Sequence, residues 1–188
     1  MLVIAGATGK TGSKLAEILL EKGRTIRVIG RDAGKLKAFT EKGAEAAVGD
    51  MADRAFLAKA FSGAEAVYAL IPPNFVVADF RAYQGKIGEN IVAAIKDSGV
   101  KHVVNLSSQG AHLPDRTGPI KGLHDQEERL NKLECVNVLH LRPTYFMENL
   151  MMNIDMIRKM NIMGSAVRGD IKFAMIATKD IAAYAAER

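Results

Sequence analysis

Near the amino end, Gly6, Gly9 and Gly12 recur at three-residue intervals directly after the apolar run Leu2, Val3, Ile4, Ala5. Glycine lets a chain turn tightly and lets a charged group come close to the backbone. An amphipathic stretch with Leu15, Ile18 and Leu19 on one face follows. A helix starting there points its free N–H groups and positive dipole end at the turn, which suits a pyrophosphate. Thr8, Lys10 and Thr11 stand between the glycines and complete the candidate phosphate-binding set. Gly9-Lys10-Thr11 also resembles the tail of the P-loop pattern G-x-x-x-x-G-K-[ST]. That pattern requires a glycine where Ile4 stands, inside the apolar run, and its mechanism depends on the glycine-bounded loop. The spacing therefore predicts a dinucleotide-type turn rather than a P-loop.

Other candidate residues follow later apolar runs. Gly30-Arg31-Asp32 comes about 20 residues after the glycine motif, where an acidic side chain would hold a ribose 2′-hydroxyl and an arginine would pair with a 2′-phosphate. A guanidinium makes paired, charge-assisted bonds to phosphate, so Arg31 points to NADP(H), with NAD(H) also accommodated. An ordinary surface charge is the competing reading. Lys35 offers a second cation, and Asp32 suits a helix cap. After the next run, Asp50 either bonds the adenine amino group, with Met51 packed on the ring, or caps a helix starting near Ala52. Leu70, Ile71 and Pro72 form a rigid exit where backbone passes close to a cofactor. Ser107 and Ser108 follow another run, where a hydroxyl could hold a substrate carbonyl; two serines are equally common turn residues.

The elements that must position these groups alternate regularly. Short apolar runs at 2–5, 25–29, 44–48, 66–70, 102–106 and 136–141 read as strands buried on both faces. Helical patterns lie between them at 11–22, 33–42, 52–61, 80–98 and 123–132. Gly23, Gly43, Gly63 and Gly99 each fall just after a helical stretch, the place for a left-handed cap. Strict alternation predicts an α/β fold with a doubly wound parallel sheet, whose ligand sits outside the carboxyl ends of the strands. Residues 1–145 are expected to form the nucleotide-binding domain. Residues 146–188 are expected to begin a substrate-side region packed on it.

Composition narrows the classes. The chain has 188 residues, 48% hydrophobic, with 26 basic and 21 acidic side chains giving a net charge of +5. No run of five like charges occurs, aromatics are 6% and tryptophan is absent, so a nucleic-acid partner is not expected. No apolar run reaches membrane-spanning length, and no signal peptide is read at the amino end. The single Cys135 is expected as a small core residue in a reducing compartment, and a cytoplasmic location follows from that reading. No spacing suggests a metal site. The expected partner is a small-molecule substrate, and a homodimer is compatible with the composition.

Taken together, Gly6-x-x-Gly9-x-x-Gly12, Val28-Ile29-Gly30-Arg31, Gly49-Asp50, Ser107-Ser108, the segment Leu141-Arg142-Pro143-Thr144-Tyr145-Phe146-Met147-Glu148-Asn149 and Thr178-Lys179-Asp180-Ile181-Ala182 resemble the NmrA-like group of atypical short-chain dehydrogenases. The resemblance covers essentially the whole chain. It implies a Rossmann fold, NADP(H) as cofactor and hydride transfer to a small conjugated acceptor such as a quinone. A non-catalytic NADP(H)-binding redox sensor is the alternative it carries. It also implies that Tyr145 and Phe146 line the nicotinamide pocket and that 147–163 runs as a helix toward the substrate. Members of the group usually continue well past the Asp180 segment, so the carboxyl-terminal substrate region is expected to be reduced or truncated. One departure limits the analogy. Standard short-chain dehydrogenases use Tyr-x-x-x-Lys, whereas the comparable positions here hold His124 and Glu128. His124 is the candidate proton donor, since an imidazole exchanges protons near neutral pH, with Glu128 one turn on to orient it. His102 and His140 are expected to be structural.

Overall fold

A computed structural model describes all residues of the chain except Ala166. Six strands, β1 (Leu2–Ile4), β2 (Ile26–Gly30), β3 (Glu45–Val48), β4 (Ala66–Leu70), β5 (His102–Leu106) and β6 (Asn137–Leu141), form one sheet in the order β3-β2-β1-β4-β5-β6. Every neighbouring pair is parallel, with Leu2 beside Ile26 on one side and Ala66 on the other. This is the Rossmann order, and its reversal falls between β1 and β4.

Helices α1 (Gly12–Glu21), α2 (Ala33–Thr40), α3 (Arg54–Phe61), α4 (Phe80–Ser98) and α5 (Lys121–Asn131) connect the strands. The predicted alternation therefore holds, with boundaries shifted by a few residues. Gly23, Gly43, Gly63 and Gly99 all adopt positive φ after helices, as the sequence suggested. Alternate strand residues feed two cores. Val3, Val67 and Val103 pack with Leu57, Phe61, Ile87, Ile91 and Leu130 on the face of α3, α4 and α5. Ile4, Val28 and Tyr68 pack with Leu15, Leu19, Leu36 and Ile181 on the other face. Each such side chain contributes roughly 1.5–3 kcal/mol on full burial.

Beyond the sheet, β7 (Tyr145–Phe146) pairs with β8 (Met175–Ile176) in a small separate ribbon. Between them lie a 3₁₀ stretch (Met147–Asn153) and α6 (Ile154–Met160), ended by Asn161 in the left-handed conformation. The expected single helix over 147–163 is thus two shorter elements. Met151, Met152, Met160, Ile162 and Met163 on this stretch are exposed. The last helix, α7 (Thr178–Ala185), returns to pack on α1.

Two expectations are corrected. Cys135 is exposed, because the chain turns there with φ at 59° before β6 begins at Asn137. Helix α3 begins at Arg54 with Asp53 as its cap, accepting from Phe56 N at 3.1 Å. Asp50 instead closes a local turn by accepting from Ala52 N at 2.8 Å. Among the described residues no helix is long and apolar enough to cross a membrane.

Candidate functional site

The glycine turn is held from both neighbouring strands. Ala5 N donates to Tyr68 O and Ala7 N donates to Ile29 O, each at 3.0 Å. Gly6 sits at φ 64°, with Leu70 packed over it, so the end of β4 roofs the turn. Gly9 N bonds back to Gly6 O at 2.9 Å. Gly12 begins α1 so close to this turn that a Cβ there would fall on the Gly6 carbonyl. The amides of Lys10, Thr11 and Gly12 donate to no backbone carbonyl among the described residues. Three free N–H groups at the start of a 10-residue helix, beside exposed Thr8, Gly9 and Lys10, form a cradle fitting a pyrophosphate.

Two side chains of the turn are already engaged. Thr11 is buried at 3% exposure, and its hydroxyl accepts a 3.0 Å hydrogen bond from Tyr68. Burial pushes the Tyr68 phenol up to about 12 and that bond opposes the shift, so it remains a donor. Thr11 is therefore turned inward, with its hydroxyl engaged by Tyr68. Lys10 Nζ donates to Asn149 Oδ1 at 3.0 Å and to the Glu148 carbonyl at 3.4 Å, joining the turn to the 3₁₀ stretch. The Glu148 carboxylate in turn accepts from Thr178 N and Thr178 Oγ1 at the head of α7. These bonds outweigh its desolvation and hold its carboxyl below the usual range.

At the far end of the cleft, Gly30 packs against the Thr8 methyl, which sets exposed Arg31 beside the glycine turn. Asp32 caps α2 as expected, accepting from Gly34 N at 2.9 Å and Lys35 N at 3.3 Å. Gly49 N bonds to Gly30 O, so the loops after β2 and β3 run side by side and bring Arg31 near Asp50. Met51 is drawn inward at 6% exposure and joins the core, so its side chain is not free to cover an adenine ring. Asn90 of α4 holds this loop by donating to Met51 O and Ala52 O at 3.2 and 2.8 Å.

Ser107 and Ser108 leave the end of β5, His124 stands near the start of α5, and Tyr145 and Phe146 follow β6. Ser107 N bonds to Leu141 O and Gln109 N to Pro143 O, tying the two exits together. The Ser107 side chain is buried and Ser108 Oγ donates to Gln109 O, so neither hydroxyl stands free in the cleft. Tyr145 meets Phe173 edge to face, while Phe146 packs into the α1-side core. Ile71 is also buried and Pro72 is half-buried.

His124 is held by the Ala111 carbonyl, 2.8 Å from its Nδ1, and not by Glu128, which is exposed. A carbonyl only accepts, so Nδ1 carries a proton and donates it there, which leaves Nε2 as the nitrogen not held by that bond. The buried acid of this helix is the adjacent residue, Glu127. Arg142 grips it with Nε 3.0 Å from Oε1, although burial raises its carboxyl most. The guanidinium, with a smaller contribution from the Ser107 hydroxyl, outweighs burial and leaves that carboxyl lowered. The hydroxyl makes no bond of ordinary length there, so the guanidinium is the secure partner. His140 lies between Asn105 and Asn131 at 3.1 and 3.0 Å, a structural setting.

Sequence reasoning missed Glu127, Arg142, Glu148 and Asn90. Arg142 and Glu148 stood inside a recognised segment, but nothing in the chain order announced their partners.

The chain is 29% identical over its full length to an NAD(P)H azoreductase of Xenophilus azovorans and spans 62% of that protein. Its fold superposes with a TM-score of 0.81 and 26% identity on an NADPH-dependent quinone oxidoreductase of Escherichia coli solved with NADPH, covering 100% of this chain and 64% of that one. A triphenylmethane reductase of Citrobacter sp. complexed with NADP(H) shares the fold at a TM-score of 0.83 and 22% identity, over 99% of this chain and 64% of that one. The family model that matches describes the NmrA-like family and covers residues 1–188, and the chain belongs to that family.

Proposed function

We propose that this chain is the cofactor-binding part of an NADP(H)-dependent oxidoreductase that reduces a small conjugated acceptor, with a quinone as the leading class. The observation that carries the reading is the row of free amides at Lys10, Thr11 and Gly12. Arg31, exposed at the end of β2, supplies the charge for a 2′-phosphate. A relative named as an azoreductase and a fold neighbour named as a quinone oxidoreductase support the choice of acceptor class. Bound nicotinamide would supply the hydride, and the protein would bind, orient and exclude water. His124 would exchange a proton at Nε2. An acceptor that takes hydride readily asks little of that acid, which suits a site lacking a Tyr–Lys pair.

The purified chain should oxidise NADPH when simple quinones are added. Arg31→Asp should weaken NADPH at least tenfold more than NADH, because a paired charge-assisted contact is lost and a repulsive one gained. Equal losses for both cofactors would remove Arg31 from 2′-phosphate recognition. His124→Ala should lower kcat by no more than roughly 100-fold, the low end of the worth of a positioned acid, because the acceptor asks little of it, with cofactor affinity unchanged. An unchanged kcat would take His124 out of the mechanism.

A second reading is a non-catalytic NADP(H) sensor. The link from Lys10 to Asn149 favours it, since this cation of the phosphate turn already holds the methionine-rich stretch. Tight NADPH binding without turnover across quinones and azo dyes would select the sensor.

A further inference from the structure

The adenosine end has a wall that none of the glycine, arginine or aspartate motifs announces. Tyr83 and Asn90 lie seven residues apart on α4, two turns, and so share one helix face. Asn90 fixes where that face points, because its amide grips the carbonyls of Met51 and Ala52. Tyr83 is half-buried and packs against the core cluster that includes Met51. Its phenol lies within electrostatic reach of two groups from different loops. Burial raises it most, Asp50 raises it further, and Arg31 pulls it down. Helix α4 is entered from the carboxyl end of β4, so Tyr83 in its first turn lies at the carboxyl-end opening of the sheet, where β2 and β3 also deliver Arg31 and Asp50, while Met51 is turned away into the core.

We propose that Tyr83 is a binding residue of the cofactor site, its ring forming the flat wall against which the adenine lies. This rests on the reading of the site as a dinucleotide site. A base has two flat faces to cover, and an aromatic ring covers one with little ordering cost. The opening offers Asp50 as acceptor for an exocyclic amino group, Arg31 for phosphate, and Tyr83 as the flat surface between them. The methionine side chain that the loop could have supplied is 6% exposed, so it does not compete with the ring for that place.

The test compares Tyr83→Phe, Tyr83→Leu and Tyr83→Ala by direct titration with NADPH, NADH and the fragment 2′,5′-ADP. Removing a stacked aromatic should weaken all three ligands by about 10- to 100-fold in the Leu and Ala variants. Tyr83→Phe should stay within about twofold of the parent, because the ring remains. Tyr83→Leu keeps apolar packing against the core, so its melting temperature separates lost binding from lost fold. Unchanged affinity in a folded Leu variant would overturn the proposal. A Phe variant as weak as Leu would also overturn it, by assigning the effect to the hydroxyl. A parent chain that binds no dinucleotide would refute the underlying site instead, and Arg31→Asp, selective for NADPH, marks that site independently.

Discussion

Gly12→Ala should cost more than 100-fold in NADPH affinity while leaving a folded protein. A Cβ at residue 12 falls on the Gly6 carbonyl and lies 2.9 Å from its carbon, so the turn and the head of α1 must move apart. The amides of Thr11 and Gly12 then leave their common aim. Losing two hydrogen bonds to a charged group costs about 3 kcal/mol, slightly more than two decades in affinity. Gly23→Ala is the control. Gly23 caps α1 at φ 69° with open space around it, so alanine there strains the backbone by roughly 1–2 kcal/mol without touching the turn. Titration with NADPH and a melting curve should separate the two variants. Parent-like affinity in folded Gly12→Ala would mean that the turn is not the phosphate cradle.

The second large effect is on stability. The Glu127 side chain is only 3% exposed, and Arg142 is its charge partner. Arg142→Ala leaves a buried carboxylate without its half-exposed partner and should destabilise by about 1–3 kcal/mol. For a chain of this size that lowers the melting temperature by roughly 2–12 °C. The pH dependence should also change sign. In the parent the Glu127 carboxyl is held below 4.5, so its stabilisation is full above the ordinary carboxylate range and fades as pH falls through the lowered value. Without the guanidinium, burial dominates and raises the carboxyl. The variant should then gain stability as pH falls and lose it as pH climbs through the raised value. Melting temperatures across an acid series check this, and parallel curves for parent and variant would contradict it. Replacing both residues, Glu127→Leu with Arg142→Leu, should recover much of the loss, because no charge is left buried.

The contrast between Glu127 and Glu128 shows where the sequence stopped being legible. The six strands and the glycine caps could be read because short apolar runs between helical patterns announce a parallel sheet. Helix α5 carries no such signal. Its buried residues are Gly122, Gln126, Glu127 and Leu130, so the inward face is mostly polar and its phase is hidden. One residue of phase error turned the buried acid into an exposed one and assigned it to His124. The glycine turn was legible as backbone, but the inward turn of Thr11 depends on Tyr68, a residue of β4. Met51 was misplaced for the same reason: which way a loop side chain turns is set by α4, through Asn90. The β7–β8 ribbon joins two-residue strands across a long excursion, too short for any periodicity to mark.

The strand order has a consequence for how the molecule is assembled. β1 precedes the other five strands of its sheet along the chain, yet it lies in the interior of the sheet between β2 and β4. Its pairing with β2 closes a modest loop, whereas Leu2 meets Ala66 only after β3 and α3 have been laid down. At a synthesis rate of about 5–20 residues per second, β1 waits several seconds for its second neighbour to leave the ribosome. The bonds from Ala5 to Tyr68 and from Tyr68 to Thr11, and the cover of Leu70 over Gly6, all await the same strand. The phosphate turn is thus translated well before β4 but cannot be completed until β4 arrives, and destabilising β4 should slow its closure along with that of the sheet.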